Sequence, residues 1–333
     1  MSEILHQLLN SQLKYVVAFC GLLVCEWLFL LIARRFNIGA EVCERSSHSI
    51  FTPTCGGIIF VFAALAFAAV NYAELSFYWW LMLAGALLLG VVSFVDDLHP
   101  LKPLPRLFLQ IFVMGASFSY LLYPEAIAVY LLIIICGIFC INSFNFIDGI
   151  CGMLALNGIV IISSILYVLH VMTPGMSPLY GSICVVLLLA LVVFALFNLP
   201  DKIFAGDVGS VTLGFFVAFL MLNIITRTQD VSFVVLIIVV LVDACMTTLQ
   251  RLFAGENILL PHREFIYEVL TSRWRLPHLV VSLTYALLQL LINTLYFLIP
   301  DEQHYTYLII VVGLLIVSYF AIRRSPRSRS ANV

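Results

Sequence analysis

Residues 77–98 read FYWWLMLAGALLLGVVSFVDDL, an apolar run that ends on two adjacent carboxylates, Asp96 and Asp97. The run is long enough to cross a bilayer, which takes about 20 apolar residues. Ionised carboxylates are costly near lipid, so two of them at the end of an apolar helix require an explanation. A hard cation such as Mg²⁺, bound by one or two carboxylates and by substrate phosphates, would provide it. The alternative is a solvated loop that carries two acids by chance.

The composition is that of an integral membrane protein. Of the 333 residues, 63% are hydrophobic and 10% are charged, whereas soluble domains carry roughly 25% charged residues. The net charge of −2 and the lack of a basic stripe with interleaved aromatic residues argue against nucleic acid as a partner. The nine cysteines show neither paired metal-ligand spacing nor a disulfide framework. The N-terminus lacks the features of a removed signal peptide, so the first span is expected to be retained.

Long apolar runs separated by Pro and Gly predict an all-α polytopic fold of about eleven transmembrane helices. A β-barrel would instead show short alternating strands. We expect a single domain over residues 1–333, with a basic cytoplasmic tail at 323–333. The predicted spans are 15–33, 56–70, 77–94, 104–122, 126–141, 149–169, 179–196, 208–225, 233–249, 279–299 and 307–322.

The basic residues predict the orientation of the chain. If every predicted span crosses, fourteen of the sixteen Lys and Arg lie on one side, and only Lys14 and Arg227 lie on the other. Because basic loops stay in the cytoplasm, we expect the N-terminus outside and the C-terminus inside. The connections that carry most of the acids and amides then face the cytoplasm, where nucleotide-activated substrates are found.

Three polar side chains recur at i, i+3 and i+6 near the inner end of the fifth span: Asn142, Asn145 and Asp148. On a helix such residues share a face, and their amides and carboxylate can bind a nucleotide or a metal-bound water. Capping of the helix end is the alternative interpretation.

Two further connections carry candidate residues. Gly206 and Gly209 flank Asp207, which suits close approach of a ligand to the backbone, although Asp207 could equally cap the next helix. His262 and Arg263 suit anionic phosphates, with contact to lipid headgroups as the alternative.

Two acids are predicted inside the bilayer. Asp243 lies near the inner end of the ninth predicted span and Glu26 lies in the middle of the first. Such acids are functional or paired by default. The sequence identifies no partner for either.

Taken together, these loops resemble those of the polyprenyl-phosphate N-acetylhexosamine-1-phosphate transferases, from Arg45 to about Tyr267. Glu44–His48 with 52–57 looks like the first cytoplasmic loop of that family, and Asp96-Asp97 like its paired aspartates. The segment 142–149 is similar to its Asn-x-x-Asn-x-x-Asp-Gly box, and 204–210 to its Phe-Met-Gly-Asp-x-Gly-Ser loop. The His262-Arg263 pair looks most like the branch that initiates O-antigen, whereas the peptidoglycan branch has a run of histidines there.

The chain departs from the family pattern at several positions. Cys151 replaces a second Asp, which puts nucleotide contacts in question, and Ala205 replaces a Met. Phe265 replaces a second His, and Thr54 and Cys55 interrupt the usual form of the first loop.

The resemblance implies transfer of a HexNAc-1-phosphate from a UDP-sugar to undecaprenyl phosphate, with release of UMP, in the bacterial inner membrane. It implies Mg²⁺, with Mn²⁺ as a substitute, held by Asp207 and Asp97. Asp96 and Asp97 would be catalytic, with Asp96 positioning the lipid phosphate. The implied substrate-binding residues are His48, Asn142, Asn145, Asp148, Phe204, His262 and Arg263.

Three alternatives stay open at this point: the peptidoglycan-precursor transferase, a membrane transporter with its acids near the midplane, and a catalytically inactive scaffold. The choice of sugar and a homodimeric state are also left open.

Overall fold

The computed structural model describes residues 2–40, 52–123, 126–257 and 264–325, with backbone only for 2–11 and 40. This part of the chain is a bundle of α-helices, as predicted. The helices are α1 (Ser2–Arg35), α2 (Ile59–Asn71), α3 (Phe77–Leu98), α4 (Pro103–Ser117), α5 (Ile127–Ile147), α6 (Met153–Tyr167), α7 (Pro178–Asn198), α8 (Gly206–Thr228), α9 (Ile238–Phe253), α10 (Ile266–Ser272), α11 (His278–Leu298) and α12 (His304–Arg324).

Short 3₁₀ or π turns extend several of these helices: Gly56–Ile58, Tyr72–Glu74, Ser119–Leu121, Val168–Met172, Val231–Ile237 and Asp301–Gln303. The extended backbone of the described residues includes one short antiparallel pair, β1 (Gly39–Ala40) with β2 (Thr52–Pro53), in which Gly39 lies opposite Pro53. The fold is therefore all-α apart from this pair.

Ten helical segments of the described chain are long and apolar enough to cross a membrane. The fourth predicted span, 104–122, is not among these ten segments. It corresponds to α4, which has 15 residues and is followed by the turn Ser119–Leu121. Its first turn contacts the start of α8 through Arg106 and Asp207. Beyond its end, the Tyr120 hydroxyl donates to Asn223 near the end of α8. Although it is short, α4 therefore reaches α8 near both of its ends, while it packs mainly against α3 and α5.

Helix α8 lies at the centre of the bundle. In its most apolar 18-residue window 89% of the residues are buried, against 11% for the segment that ends in α12. Glycines let its neighbours approach, since a Cβ on Gly214 would lie 3.0 Å from the carbonyl oxygen of Ile141 in α5. The central position of α8 fixes its N-terminus, where Asp207 lies, relative to the ends of α3, α4 and α5.

Two predicted loops are partly helical. Asn142 and Asn145 lie on α5, as the polar spacing predicted, and Asp148 is one residue beyond its end. The interval 251–277, predicted as a connection, contains the last turn of α9 and the short helix α10.

Candidate active site at the N-terminus of α8

Asp97, at the end of α3, accepts two hydrogen bonds from the start of α8. Its Oδ1 accepts from the Asp207 amide at 2.8 Å, and its Oδ2 accepts from the Val208 amide at 3.0 Å. The first amides of a helix have no partner within the helix, and its N-terminus attracts negative charge. Asp97 therefore joins α3 to α8 and fixes the position of Asp207.

Glycine is required where α8 begins. Gly206 has φ +70, in the left-handed region, and a Cβ there would lie 2.6 Å from Oδ2 of Asp97. One turn later, a Cβ on Gly57 would lie 2.0 Å from Cα of Gly209. The sequence suggested that Gly206 and Gly209 allow a ligand to approach the backbone. In the structure, these glycines allow two segments of the chain to approach each other.

The segment after β2 packs against the loop that precedes α8. The Gly56 amide donates to the Phe204 carbonyl at 2.8 Å, and the Gly57 amide donates to the Ala205 carbonyl at 2.9 Å. Cys55 is fully buried and its thiol hydrogen-bonds Asp97; burial raises the pKa of Cys55 to about 12. The thiol is therefore protonated at physiological pH and donates to the Asp97 carboxylate.

Arg106 contacts two acids of the site, Asp96 and Asp207, neither of which caps α8. Its Nη1 lies 2.5 Å from Oδ2 of Asp96, and its Nη2 lies 3.0 Å from Oδ2 of Asp207. Asp96 is buried, and its Oδ1 also accepts from the Leu101 amide. Two aspartates, one from the end of α3 and one from the start of α8, thus meet at one guanidinium.

The amides of α5 complete the contacts of Asp207. Nδ2 of Asn145 donates to Oδ1 of Asp207 at 2.7 Å and to Oγ of Ser210 at 3.0 Å. Nδ2 of Asn142, one turn earlier, donates to Oε1 of Gln110 at 2.7 Å. The shared face predicted for the two asparagines is observed, and each amide contacts a different helix.

Asp148 is close to other negative charges. Burial raises the pKa of Asp148 well above its usual value, and the nearby carboxylates of Asp207 and Asp97 raise it further, although a hydrogen bond from the Gly206 amide partly offsets this. Like charges in a site of low polarity disfavour ionisation. A cation that approached these carboxylates would lower that cost.

Asp148→Asn is expected to stabilise the protein in the absence of metal, by an amount that grows as the pH rises above about 4. The folded chain holds a proton on Asp148 that the unfolded chain releases, so wild-type stability falls as the pH rises towards the raised pKa. Asparagine carries no such proton. Thermal unfolding of the variant and the wild type in EDTA, at about pH 5 and about pH 8, measures the stability difference between them. A stability difference that did not vary with pH would contradict the prediction.

A cleft of about 540 Å³ opens beside these residues, between α4, α5 and α10. One part of its wall is polar and the other is apolar. The polar part includes Arg106, Gln110, Asn142, Asn145, Asp148 and Glu268. The apolar part includes Leu107, Ile135, Ile138 and Phe139.

Helix α10 closes one side of this cleft and is held by Asp243. Oδ1 of Asp243 accepts from the Ile266 amide at 3.0 Å, and Oδ2 accepts from the Tyr285 hydroxyl at 2.8 Å. Tyr267 follows on α10, and its hydroxyl donates to the Phe146 carbonyl at 2.8 Å. Asp243, for which the sequence identified no partner, thus holds the start of α10 and contacts α11, while Tyr267 holds α10 against α5.

Tyr285→Phe is expected to destabilise the protein by about 1–3 kcal/mol, because it leaves one buried oxygen of Asp243 without its donor. Tyr72→Phe is the matched control, since Tyr72 is 72% exposed. Unfolding midpoints in detergent measure both. The double variant Asp243→Asn with Tyr285→Phe should lose less stability than the sum of the two single losses, because both changes act on one hydrogen bond. Fully additive losses would argue against a hydrogen bond between Tyr285 and Asp243.

Several predicted residues are not part of this cluster. His48, His262 and Arg263 lie outside the described residues. Phe204 is not among the residues that line the cleft, and its role in binding uracil stays a prediction. Glu26 is fully buried, and neither carboxylate oxygen has a hydrogen-bond partner in the described part of the chain.

Cys151, the departure that put nucleotide contacts in question, is buried away from the cleft. Its carbonyl accepts from Ser282 and its thiol contacts Asp201. The thiol is hydrogen-bonded to Asp201, and the negative charge of Asp148, one of the clustered aspartates, also acts on it.

Sequence reasoning missed four residues: Arg106, Gln110, Cys55 and Tyr267. Arg106 follows Pro103 and Pro105, which places it in the first turn of α4, near the paired aspartates. That placement was readable from the sequence. The contacts of Gln110, Cys55 and Tyr267 are between distant segments, and no local pattern indicates them.

The donor set agrees with a divalent ion bound jointly with substrate. No three His, Cys, Asp or Glu side chains in the described ranges form a complete ligand group. Mg²⁺ commonly takes one or two protein carboxylates and completes its shell with water and substrate phosphates. Asp207, 28% exposed and beside Asp97 and Asp148, has the chemistry for such a ligand.

Comparison with known proteins agrees with this geometry. Residues 79–225 match the profile of glycosyl transferase family 4. The match covers less than half of the 333 residues, and over it the chain is similar to glycosyl transferase family 4. The matched stretch runs from α3 to α8 and contains Asp96, Asp97, Asn145, Asp148 and Asp207. Enzymes of that family transfer sugar phosphates to polyprenyl phosphate carriers, and this chain is similar to them over helices that are apolar enough to cross a membrane.

Curated bacterial proteins resemble the chain over much of its length. A phospho-N-acetylmuramoyl-pentapeptide-transferase of Oceanobacillus iheyensis is 26% identical over 315 residues, which are 82% of this chain and 94% of the relative. The enzyme of the same name from Dictyoglomus thermophilum is 25% identical over 65% of this chain and 74% of its own length. That from Deinococcus radiodurans is 28% identical over 56% of this chain and 68% of its own.

Proposed function

We propose that this chain transfers an N-acetylhexosamine-1-phosphate from a UDP-sugar to undecaprenyl phosphate and releases UMP, as an early membrane step of cell-envelope polysaccharide synthesis. A phosphate oxygen of the lipid attacks the phosphorus that carries the sugar. The bond from that phosphorus to the UMP oxygen breaks, and UMP leaves with the electron pair. The product is a polyprenyl diphosphate sugar.

The observation that supports this proposal most is a cluster of Asp96, Asp97, Asp148 and Asp207 next to a cleft. Asp148 and Arg106 line the polar part of that cleft, and its other wall is apolar. Both substrates are anionic, so a surplus of carboxylates cannot bind them without a cation. Bound Mg²⁺ neutralises charge that develops on the phosphates during transfer. Mn²⁺ has the same preference for oxygen ligands and is expected to substitute.

Each acid has a separate task in this proposal. Asp207 holds the divalent ion, with Asp97 beside it fixing the start of α8 and offering its remaining lone pairs. Asp96, buried against Arg106, positions the acceptor phosphate. A phosphate is already largely ionised at neutral pH, so no strong base is needed to activate it.

The amides and α10 would hold the nucleotide sugar. Asn142, Asn145 and Asp148 line the polar part of the cleft, and the stacked rings of Phe265 and Phe146 lie 5.2 Å apart at its edge. Phe204, His48, His262 and Arg263 keep the substrate-binding roles that the resemblance implies, as proposals.

The apolar wall of the cleft suits the polyprenyl chain. Ile135 is 65% exposed on the outer face of α5 and also lines the cleft, so the cleft opens towards the lipid-facing surface. A chain that arrives from the bilayer along Leu107, Ile135 and Ile138 would bring its phosphate to Arg106 and Asp96. The excess of Lys and Arg at the predicted inner connections supports a cytoplasmic active site in a bacterial inner membrane.

A second candidate donor is UDP-N-acetylmuramoyl-pentapeptide, because the relatives reported above are named as phospho-N-acetylmuramoyl-pentapeptide-transferases. The His262-Arg263 pair in place of a histidine run favours a simpler N-acetylhexosamine, such as N-acetylglucosamine.

The test is to incubate the purified chain with undecaprenyl phosphate, Mg²⁺ and a panel of UDP-sugars, then to weigh the lipid products. Formation of a polyprenyl diphosphate HexNAc with an equal amount of UMP supports the proposal. A product only with the muramoyl-pentapeptide donor selects the second candidate. Absence of both product and UMP–UDP-sugar exchange would favour an inactive scaffold, and flux without UMP would favour a transporter.

A further inference from the structure

Arg106 contacts two carboxylates that have different exposure. Its Nη1 pairs with the buried Asp96, whereas its Nη2 pairs with Asp207, whose side chain is 28% exposed. The Arg106 side chain is itself 27% exposed and lines the cleft. The contact with Asp96 is therefore the enclosed one, and the contact with Asp207 is partly exposed, next to the cleft that Arg106 lines.

The guanidinium lies at the oxygen of Asp207 that faces away from Asn145. Oδ1 of Asp207 accepts from Asn145, and Oδ2 contacts Nη2 of Arg106 at 3.0 Å. Both oxygens of Asp97 accept amides of α8. A divalent ion bound to Oδ2 of Asp207 would be within a few ångströms of a positive charge, and like charges at that range repel strongly in a partly buried site.

We propose that Arg106 is an exchangeable counter-ion: it neutralises Asp207 while the site is empty, and it transfers its Nη2 contact to the acceptor phosphate when the lipid binds. Divalent-ion binding and lipid-phosphate binding are thereby coupled. This inference rests on the proposed function, because it takes Asp207 as the metal ligand and a phosphorylated lipid as the acceptor.

The local structure suits such an exchange. Pro103 and Pro105 restrict the backbone at the start of α4, so the movement is confined to the Arg106 side chain. Asp96 retains Nη1 and keeps its own hydrogen bond from the Leu101 amide. A guanidinium presents donors in a planar fork, so one edge can stay on Asp96 while the other binds a phosphate oxygen.

The position of Arg106 within the cleft indicates which ligand takes the contact. The next residue, Leu107, lies on the apolar wall together with Ile135 and Ile138. An anion at the end of a long apolar chain would meet Arg106 where the wall turns from apolar to polar. A phosphate that lacks the chain would have the charge but none of the apolar contacts.

The test measures Mn²⁺ binding by electron paramagnetic resonance on the full chain in detergent, without any UDP-sugar. For the wild type we expect undecaprenyl phosphate to tighten Mn²⁺ binding about tenfold, within the usual range of coupling between sites. Undecaprenol and inorganic phosphate should each produce a smaller change. Arg106→Gln should bind Mn²⁺ about tenfold tighter than the wild type without lipid, and the lipid should then add less than about threefold.

Matched variants separate this inference from the proposed function. Lys102→Gln, an exposed change one turn earlier, should bind Mn²⁺ as the wild type does. Arg106→Lys, which keeps the charge but cannot form the same fork, should be intermediate and serves if Arg106→Gln does not fold. If both Arg106 variants match the wild type with and without lipid, the inference is overturned. If Asp207→Asn still binds Mn²⁺ normally, the metal assignment of the proposed function is what fails.

Discussion

Replacing Asp207 by asparagine is expected to reduce Mg²⁺-dependent UMP release by about 10³-fold or more, an effect of the size seen when a preorganised charge-stabilising group is removed from an active site. The change keeps the shape of the side chain and can keep the hydrogen bond from Asn145. It removes the negative charge that the proposed metal requires. Initial rates of UMP release with the preferred UDP-sugar measure the effect, together with Mn²⁺ binding.

The fold should survive this substitution, because Asp207 lies beside other carboxylates and its charge is not needed to hold α8. We expect the unfolding midpoint of Asp207→Asn to equal or exceed that of the wild type in EDTA. Asp201→Asn is the matched control, an exposed acid in the same connection that should keep full activity. Wild-type UMP release by a folded Asp207→Asn variant would end the proposal that this residue holds the metal.

Replacing Gly57 by alanine is expected to lower the free energy of unfolding by about 3 kcal/mol, near the upper end of the usual cost of overpacking. The added Cβ would lie 2.0 Å from Cα and 2.6 Å from the amide nitrogen of Gly209. Both are backbone atoms on the first turns of α8, so no side-chain rotation relieves the clash. The change should also reduce activity, because it displaces the helix start that carries Asp207.

Gly313→Ala in α12 is the matched control, since no atom lies within 4 Å of a Cβ at that position. It should be neutral or slightly stabilising, as alanine favours helix by about 1 kcal/mol over glycine. Thermal unfolding of the variants in the same detergent gives the comparison. Equal midpoints for Gly57→Ala and Gly313→Ala would mean that the two segments are farther apart than described.

The sequence correctly predicted the class of fold and most of its spans, because a bilayer leaves little choice for an apolar run of about 20 residues. The predicted span limits were less accurate where a helix ends in polar residues. The predicted fifth span stopped at residue 141, whereas α5 continues to Ile147 and carries Asn142 and Asn145. Polar residues at the end of an apolar run look like a loop, yet here they continue the helix and bind a neighbouring one.

The sequence also named the acids of the site but not their contacts. Asp97 was expected to hold metal, and its oxygens accept the α8 amides, a contact between residues 110 positions apart. Asp243 had no visible partner, and its partners come from Ile266 and Tyr285, in segments that only the folded chain brings together. Such pairs leave no local periodicity that a reading of the sequence could detect.

By itself, the sequence determined that this chain is an all-α protein with many membrane-spanning helices, since hydropathy is a local property. The tertiary structure alone decided that Arg106 pairs with both Asp96 and Asp207, and that a glycine contact sets the start of α8. The reason is physical. Charges and backbones act on each other over a few ångströms of space, and the distance along the chain between Arg106 and Asp207 says nothing about that separation.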